Sequence, residues 1–438
     1  MDWDKIEKTN KILNDPIYCN IELNPIILQF IDTPQFQRLR NIKQLGFLSY
    51  IFPSAVHTRF EHSIGTGYLA TKLIKNFKNN QPELYITNRD IGIINIAATC
   101  HDLAHSVGGH LFDNEFIPMV TKKYDYSHES MGIKMIDYLI DDNYIDIDTN
   151  DINLVKNIIL GSKPTTIKLD SRDFMYEIVA NGTNSIDVDK IDYLSRDMHY
   201  LFGHYKSYNF NRLFKYNRII DNTICYNSKI SFDIYNLFQQ RYFMHKEIYN
   251  HKKGKAIEYM ICDILYYANT ELKISNAINS PDEFMKLTDN IIYTIKYSNN
   301  INLKKSQDII NRLENRDLYK YIDEYIVPNE LTDKIKTINP IDIISSNSEL
   351  NNLITIDDII IFDKKMNYNL NDKNPVDNVY FYNIKNKDYK YKKNKENISL
   401  LLPEVFEERI IRLYSKINNN KINNLLKNAF NNYIKIYK

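Results

Sequence analysis

The stretch Thr99-Cys100-His101-Asp102-Leu103-Ala104-His105-Ser106-Val107-Gly108-Gly109-His110-Leu111-Phe112-Asp113 most constrains how this chain can fold, because it puts three histidines and two aspartates within fifteen residues. It opens as the end of an apolar helix. Thr87-Asn88-Arg89-Asp90 reads as a capping box, and Ile91, Ile94, Ala97, Ala98 and His101 follow at helical spacing. It closes after a Gly-Gly break. A lone histidine on an apolar stripe is ordinarily a satisfied core residue. His101 has Asp102 beside it and His105 four residues on, which weakens that reading. Titratable groups at the foot of a buried helix are costly to desolvate unless paired or used, so this stretch is the candidate active site.

Two other segments supply chemistry that the first lacks. Six of the ten histidines (His57, His62, His101, His105, His110 and His128) fall between residues 57 and 128. His62 sits in the first turn of a helix running from Glu61 through Tyr68, Leu69, Leu73, Ile74 and Phe77. Further on, Asp189, Tyr193 and Asp197 repeat every four residues beside Lys190, with Ile186, Ile191 and Leu194 as apolar surface. They form one polar stripe, either a solvated face or the wall of a pocket. His62, His101, Asp102 and Asp189 together offer imidazole and carboxylate donors from three helices. That is the ligand set of a mononuclear site for a borderline metal with open positions.

Elsewhere the pattern is organisational. Residues 11 to 55 read as short elements, with a turn at Asn14-Asp15-Pro16 and an apolar helix after Pro25. Thr33 caps a helix that begins at Pro34 and carries Gln37, Arg38, Arg40 and Lys43. Residues 234 to 274 read as helical. After about residue 275, Asn-rich loops and β-branched runs appear at 358–363 and 376–381, Lys385 to Lys395 reads as an exposed loop or hairpin, and a closing helix is expected after Pro403 through Val405, Phe406, Ile410, Ile411 and Leu413. The expectation is a mainly α protein: a helical core over 1–275 and a smaller mixed α/β C-terminal lobe over 276–438. With 43% hydrophobic residues the chain can build a sizeable core, and a net charge of +1 argues against a dedicated non-specific DNA binder while leaving room for local basic pockets. The four cysteines are widely spaced with no CxxC pair, and no run approaches a membrane span. A soluble intracellular protein, with no membrane partner, is the expectation.

The order His … His-Asp … Asp resembles the HD phosphohydrolase superfamily. The longer motifs Asp32-Thr33-Pro34-Gln35-Phe36-Gln37-Arg38-Leu39-Arg40, Arg59-Phe60-Glu61-His62-Ser63, His101-Asp102-Leu103-Ala104-His105, Ile186-Asp187-Val188-Asp189-Lys190, Tyr249-Asn250-His251-Lys252, Lys373-Asn374-Pro375 and Leu401-Leu402-Pro403-Glu404 go further. They resemble the animal dNTP triphosphohydrolases that carry a sterile alpha motif and an HD domain. The likeness begins at about Lys11, so a sterile alpha motif domain is not expected in this chain.

The resemblance implies an HD-type core that hydrolyses a dNTP to deoxynucleoside and inorganic triphosphate. His62, His101, Asp102 and Asp189 would hold one divalent metal (Fe, Mn, Zn, Ni or Mg), with additional Mg accompanying the nucleotide. His110, oriented by Asp113, would be the general acid; His105 and His128 would line the phosphates, and Arg59 and Lys190 would neutralise them. Gln44, Leu45, Tyr193, Asp197, Tyr249 and Asn250 would meet the substrate, Asn250 standing where the animal enzyme has glutamine. Lys11, Asp32, Gln37 and Arg40 match a guanine-specific activator site for GTP or dGTP, whose bland reading is a surface ion-pair cluster. Ile12, Asn14, Arg212, Lys229, His251, Lys252 and Lys395 match a second activator site for a dNTP between subunits. Asn227 and Glu247 stand where the family carries arginines, so nucleotide-driven assembly from homodimer to homotetramer is expected to differ. Two other readings stand beside this one: another HD phosphohydrolase, such as a nucleotide monophosphatase or phosphodiesterase, and a non-catalytic nucleotide- or nucleic-acid-binding protein.

Overall fold

A computed structural model describes residues 1–121, 126–162, 172–203 and 210–436. The chain begins with a hairpin of β1 (Lys11–Asp15) and β2 (Cys19–Leu23), followed by helices α1 (Arg59–Asn80), α2 (Asn88–Cys100), α3 (His128–Asp142), α4 (Thr149–Ile159) and α5 (Val188–Phe202). Strands β3 (Asn217–Ile220) and β4 (Thr223–Asn227) precede helices α6 (Ser231–Met244), α7 (Lys252–Leu272) and α8 (Lys304–Glu314). Strands β5 (Lys320–Val327), β6 (Ile359–Asn367), β7 (Tyr380–Asn383), β8 (Asn386–Tyr391) and β9 (Glu407–Ser415) come next, and α9 (Asn420–Lys435) ends the described chain. The protein is mainly α, with its sheets concentrated in the C-terminal half. No helix among the described residues is long and apolar enough to cross a membrane.

Two compact units are built from interleaved stretches. The first comprises Met1–Gln240, Lys273–Ile291 and Pro375–Leu402. Its centre is α1, packed against α2 and α5. Local chemistry fixes where these helices start. Thr58 and Glu61 form a capping box for α1, and Thr87 with Asp90 forms one for α2, the Asp90 carboxylate accepting the Thr87 N–H at 2.9 Å. α1 has two glycines where its neighbours come closest. A Cβ on Gly67 would lie 2.2 Å from Thr99 Oγ1, and one on Gly65 would lie 2.1 Å from Asp192 Oδ1 and 2.3 Å from Arg196 Nη2. Two residues apart is about 200° around a helix, so each glycine admits a different neighbour. Gly65→Ala is therefore expected to destabilise the protein by roughly 1–3 kcal/mol through overpacking. Thermal denaturation would check this, and a neutral result would refute the close approach.

The helix expected from Pro34 is shorter than the pattern suggested. Thr33 Oγ1 does accept the Phe36 N–H, at 3.3 Å, but α-helical geometry stops at Gln37 and a 3-10 turn covers Arg38–Asn41. The Arg38 guanidinium is buried, donating to the carbonyls of Leu103 at 3.2 Å and His105 at 2.7 Å. It is a strut under the histidine-rich stretch rather than part of a basic surface. The lysine-rich segment supplies the turn of the β7–β8 hairpin and its second strand, β8, on the edge of a four-stranded sheet ordered β3-β4-β7-β8 in which only β4–β7 is parallel.

The second unit comprises Arg241–Leu272, Ile292–Asn374 and Pro403–Lys438. Its antiparallel sheet, ordered β5-β9-β6, packs an apolar core of Ile322, Ile359, Ile411 and Leu413 against Leu426 and Phe430 of α9. Here the sequence reading needs correction: the segment after Pro403 is strand β9, and the closing helix starts only at Asn420. A short apolar run fits a buried helix or a strand buried on both faces, and periodicity cannot separate them. As the middle strand, β9 buries Ile410, Ile411, Leu413 and Tyr414 on both sides. Residues 376–381 also divide, a 3-10 turn over Pro375–Asn378 preceding β7.

Candidate active site

His62 lies on the first turns of α1, His101 caps the C-terminus of α2, Asp102 follows it, and Asp189 lies in the first turn of α5. Asp189 Oδ1 is 3.1 Å from His62 Nε2 and 3.3 Å from His101 Nε2, and one donor atom from each of the three lies within 4.8 Å of the others. The opposite ring nitrogens are already engaged. His62 Nδ1 is 2.7 Å from Asp192 Oδ2, and His101 Nδ1 is 2.8 Å from the Ala98 carbonyl. Both partners can only accept, so the proton belongs on Nδ1 and each Nε2 lone pair is aimed into the cluster, a tautomer assigned from the bonding pattern. His101 Nε2 is buried without a hydrogen-bond partner.

Without a bound cation the carboxylates draw protons onto these imidazoles instead, and a metal would have to displace the Nε2 proton. Burial lowers the proton affinity of His62, yet its bonds to Asp189 and Asp192 outweigh that and raise its pKa to about 10. His101 is also raised against the pull of burial, chiefly by Asp102 and Asp189. Despite burial, Asp189 is held below the usual carboxylate range by these two imidazoles. Such a pocket is built to hold positive charge, and its nitrogen–oxygen donors fit a borderline divalent ion. Asp102 closes the set less simply: its Oδ1 is 3.4 Å from His101 Nε2, while its Oδ2 accepts from Arg59 Nη1 at 2.5 Å.

Three more histidines adjoin this cluster. His105 Nε2 reaches Asp102 Oδ1 at 3.1 Å, and the His105 ring centre is 4.9 Å from those of both His110 and His128. Burial and the neighbouring Arg59 push His105 down to about 3, so its imidazole is neutral at physiological pH. His110 is pushed down by its dense surroundings and by His105 and Arg59, an effect its solvent-open edge moderates. His128 goes the other way: burial lowers it, but Asp113 raises it above the ordinary value. Asp113 stands in one donor cluster with His105 and His110, a donor atom from each lying within 4.8 Å of the others, and its ion pair is with His128. Asp113 Oδ2 lies 3.3 Å from His128 Nδ1, and its Oδ1 accepts from the Tyr126 hydroxyl at 3.1 Å. Asp113 lies on a π-helical turn over Phe112–Phe116.

The polar stripe of α5 is not a solvated face. Asp197 is buried with His57 Nε2 2.6 Å away, Tyr193 is half-buried, and the Lys190 ammonium lies 3.4 Å from the N-capping Asp187. Gln44 and Leu45 are half-buried on a loop tied to the histidine-rich stretch. Asp289 makes the tie, its two oxygens accepting the N–H groups of Lys43 and Gly108 at 2.8 Å each. Gly46, at φ +51°, lies so near the Gly108 backbone that a Cβ would come within 3.0 Å of its carbonyl. Asp192, His57, Asp289 and Arg196 were missed as site residues. The i, i+4 spacing of Asp192 and Arg196 was the available signal.

The activator candidates are mostly at the surface of the first unit. Lys11, Ile12 and Asn14 are exposed on β1, and Asp32 and Arg40 are exposed nearby in sequence. Among the described residues no ion pair ties Asp32 to Lys11 or Arg40. Arg40 instead donates to Gln37 Oε1 at 2.8 Å and lies 3.5 Å over the Phe60 ring. Arg212 pairs with Asp233 at 2.9 Å, Lys229 sits 3.4 Å over the Tyr216 ring, and Lys395 begins a 3-10 turn. Asn227 is buried, its side chain accepting the Lys229 N–H at 3.1 Å. Tyr249, Asn250, His251 and Lys252 belong to the second unit, with the exposed Glu247. Tyr249 ends a π-helical turn, and Asn250 Nδ2 donates to the His245 carbonyl at 2.7 Å. His251 Nδ1 accepts from the Gly254 N–H at 3.4 Å, and Lys252 lies 4.9 Å over the Tyr321 ring.

A His/Asp donor cluster gathered from three helices, with cationic and imidazole groups beside it, is the arrangement of an HD-type phosphohydrolase, and the HD domain family matches residues 59–197. The chain is 42% identical to the Dictyostelium discoideum deoxynucleoside triphosphate triphosphohydrolase SAMHD1 homolog over 93% of this chain and 78% of the relative. It is 38% identical to SAMHD1 of Bos taurus over 94% of this chain and 76% of that protein, and 37% identical to SAMHD1 of Homo sapiens over 93% and 71%. The chain belongs to the SAMHD1 family of HD-domain deoxynucleoside triphosphate triphosphohydrolases.

Proposed function

We propose that this protein hydrolyses dNTPs to deoxynucleoside and inorganic triphosphate, with His62, His101, Asp102 and Asp189 holding one divalent metal. The observation that carries the proposal is the adjacency of two unlike clusters, a carboxylate-rich donor set and a wall of Arg59 and three histidines. The names of the relatives supply the substrate class. A divalent metal bound there supplies Lewis-acid polarisation and a more acidic water. In the reaction a water oxygen bonds to the α-phosphorus and the bond from that phosphorus to the 5′ oxygen breaks. Arg59 offsets charge gathering on the phosphate oxygens, and it is held for this by Asp102. The neutral His105 donates or accepts without adding charge. The departing 5′ oxygen takes a proton from the His110–His128 pair, with Asp113 holding His128 in its charged form. Lys190 adds a positive charge at the start of α5.

Gln44, Leu45, Tyr193 and Asp197 form the wall proposed for the sugar. Lys11, Asp32, Gln37 and Arg40 form the proposed guanine site for GTP or dGTP. Ile12, Asn14, Arg212, Lys229, His251, Lys252 and Lys395 are the proposed dNTP activator site between subunits of a homodimer or homotetramer. The test is to incubate the protein with each dNTP and a divalent metal, with and without GTP, and separate the products. Intact triphosphate with the deoxynucleoside is the expected result, formed faster with GTP. Pyrophosphate or orthophosphate as first product would overturn the reaction, and GTP-independent release would overturn the activator site.

A further inference from the structure

His57 is assigned no part in the chemistry above, yet it is buried and touches both sides of the proposed sugar wall. Its Nε2 lies 2.6 Å from Asp197 Oδ1. An ionised carboxylate can only accept, so the proton of this bond sits on Nε2. Its ring stacks on Tyr200 with centres 4.4 Å apart and planes 14° apart, and the Tyr200 hydroxyl donates to Glu61 Oε2 at 2.7 Å. Its main chain does a second job. The His57 carbonyl accepts the Gln44 N–H at 2.9 Å, the Ile42 carbonyl accepts the Arg59 N–H at 2.9 Å, and Lys43 pairs with Thr58 as an antiparallel bridge. Residues 42–44 and 57–59 thus form a miniature ladder that fixes Gln44. The ring at its centre fixes Asp197.

We propose that His57 is a positioning residue for sugar recognition, holding Asp197 and Gln44 so that they meet the one hydroxyl a deoxyribose carries, on C3′. This rests on the dNTP reading above. Asp197 is eight residues beyond Asp189 on α5, about 12 Å along the axis, which leaves room for a sugar between the reacting phosphate and Asp197. A carboxylate free to rotate would find a hydroxyl in several poses. One whose oxygen is pinned by a stacked, buried imidazole presents a fixed acceptor direction. Among the described residues Gln44 Oε1 is buried without a hydrogen-bond partner, an acceptor not yet used by the fold. A site built to bond a hydroxyl rejects an analogue lacking it, because its buried polar groups are then left unpaired.

The experiment compares kcat/KM for a dNTP and the 2′,3′-dideoxynucleoside triphosphate of the same base, in the full chain and in His57→Phe, His57→Gln and Asp197→Asn. Phenylalanine keeps the stack on Tyr200 and removes the donor; glutamine keeps a donor. The unsubstituted protein is expected to prefer the dNTP by on the order of 100-fold. His57→Phe and Asp197→Asn should cut that preference to roughly threefold, mainly by slowing the dNTP, and His57→Gln should restore part of it. A merely structural histidine would slow both substrates in parallel. A parallel loss, a preserved preference in His57→Phe, or no preference in the unsubstituted protein would each overturn the assignment while leaving dNTP hydrolysis standing. No release of triphosphate from any dNTP by the unsubstituted protein would overturn the underlying reading, and the assignment with it.

Discussion

Asp189→Ala is expected to lower dNTP hydrolysis by roughly 1,000-fold or more, since the carboxylate that meets both imidazoles would be gone. The same variant should purify with markedly less divalent metal than the unsubstituted protein. Asp189 Oδ1 lies within 3.3 Å of both His62 Nε2 and His101 Nε2. Neither histidine can compensate, because each Nδ1 is fixed by its own acceptor. Element analysis of the purified variant reads the metal directly, and a chromatographic product assay reads the rate. Asp189→Ala with full metal content and full activity would refute the ligand assignment. Full metal content with lost activity would instead move Asp189 from metal ligand to substrate contact.

Arg196→Met should be the most destabilising single change in the first unit, by about 3–5 kcal/mol. Arg196 is fully buried and donates to Asp192 through Nε at 2.9 Å and Nη2 at 3.1 Å, and to Asp15 through Nη1 at 2.9 Å. Removing the cation strips a counter-charge from two buried carboxylates, Asp15 and Asp192, of which Asp192 keeps only His62. Methionine fills much of the volume, so the loss measures charge rather than a cavity. Asp192 shows how strongly the cation is felt: burial would raise its pKa, but Arg196 and His62 hold it at about 2. Because Asp192 also orients His62, metal affinity should fall 10- to 100-fold as well. Thermal denaturation and metal titration check the two effects, and Arg196→Lys should lie between them. A melting temperature unchanged in Arg196→Met would show that the network is not a stability element.

Much of the site was legible because its residues are close in sequence or spaced by helical turns. His101, Asp102 and His105 announce themselves within five residues, and the 189–193–197 stripe follows from helix geometry alone. Caps are equally local, which is why Thr33, Thr87 and Asp90 behave as read. Where the sequence misled, the physical signal was degenerate. The run through Ile410, Ile411 and Leu413 carries no period that separates a two-sided strand from a buried helix, and its place between β5 and β6 decided the matter. Asp113 clusters with His110, three residues before it, and with His105, but its ion pair with His128, fifteen residues on, is not written in any local spacing.

By itself the sequence determined the family, the mainly helical character, the starts of the principal helices and the identity of the metal-donor candidates. Those properties reside in local hydrogen bonding and in long motifs kept in order. The tertiary structure decided which acceptor holds which imidazole: Asp192 on His62 across 130 residues, and Asp197 on His57 across 140. Asp192 reaches His62 where α1 carries Gly65 against α5, and no local pattern encodes either meeting. Burial then gives the pairings their strength, since the same ion pair at the surface would be screened to almost nothing.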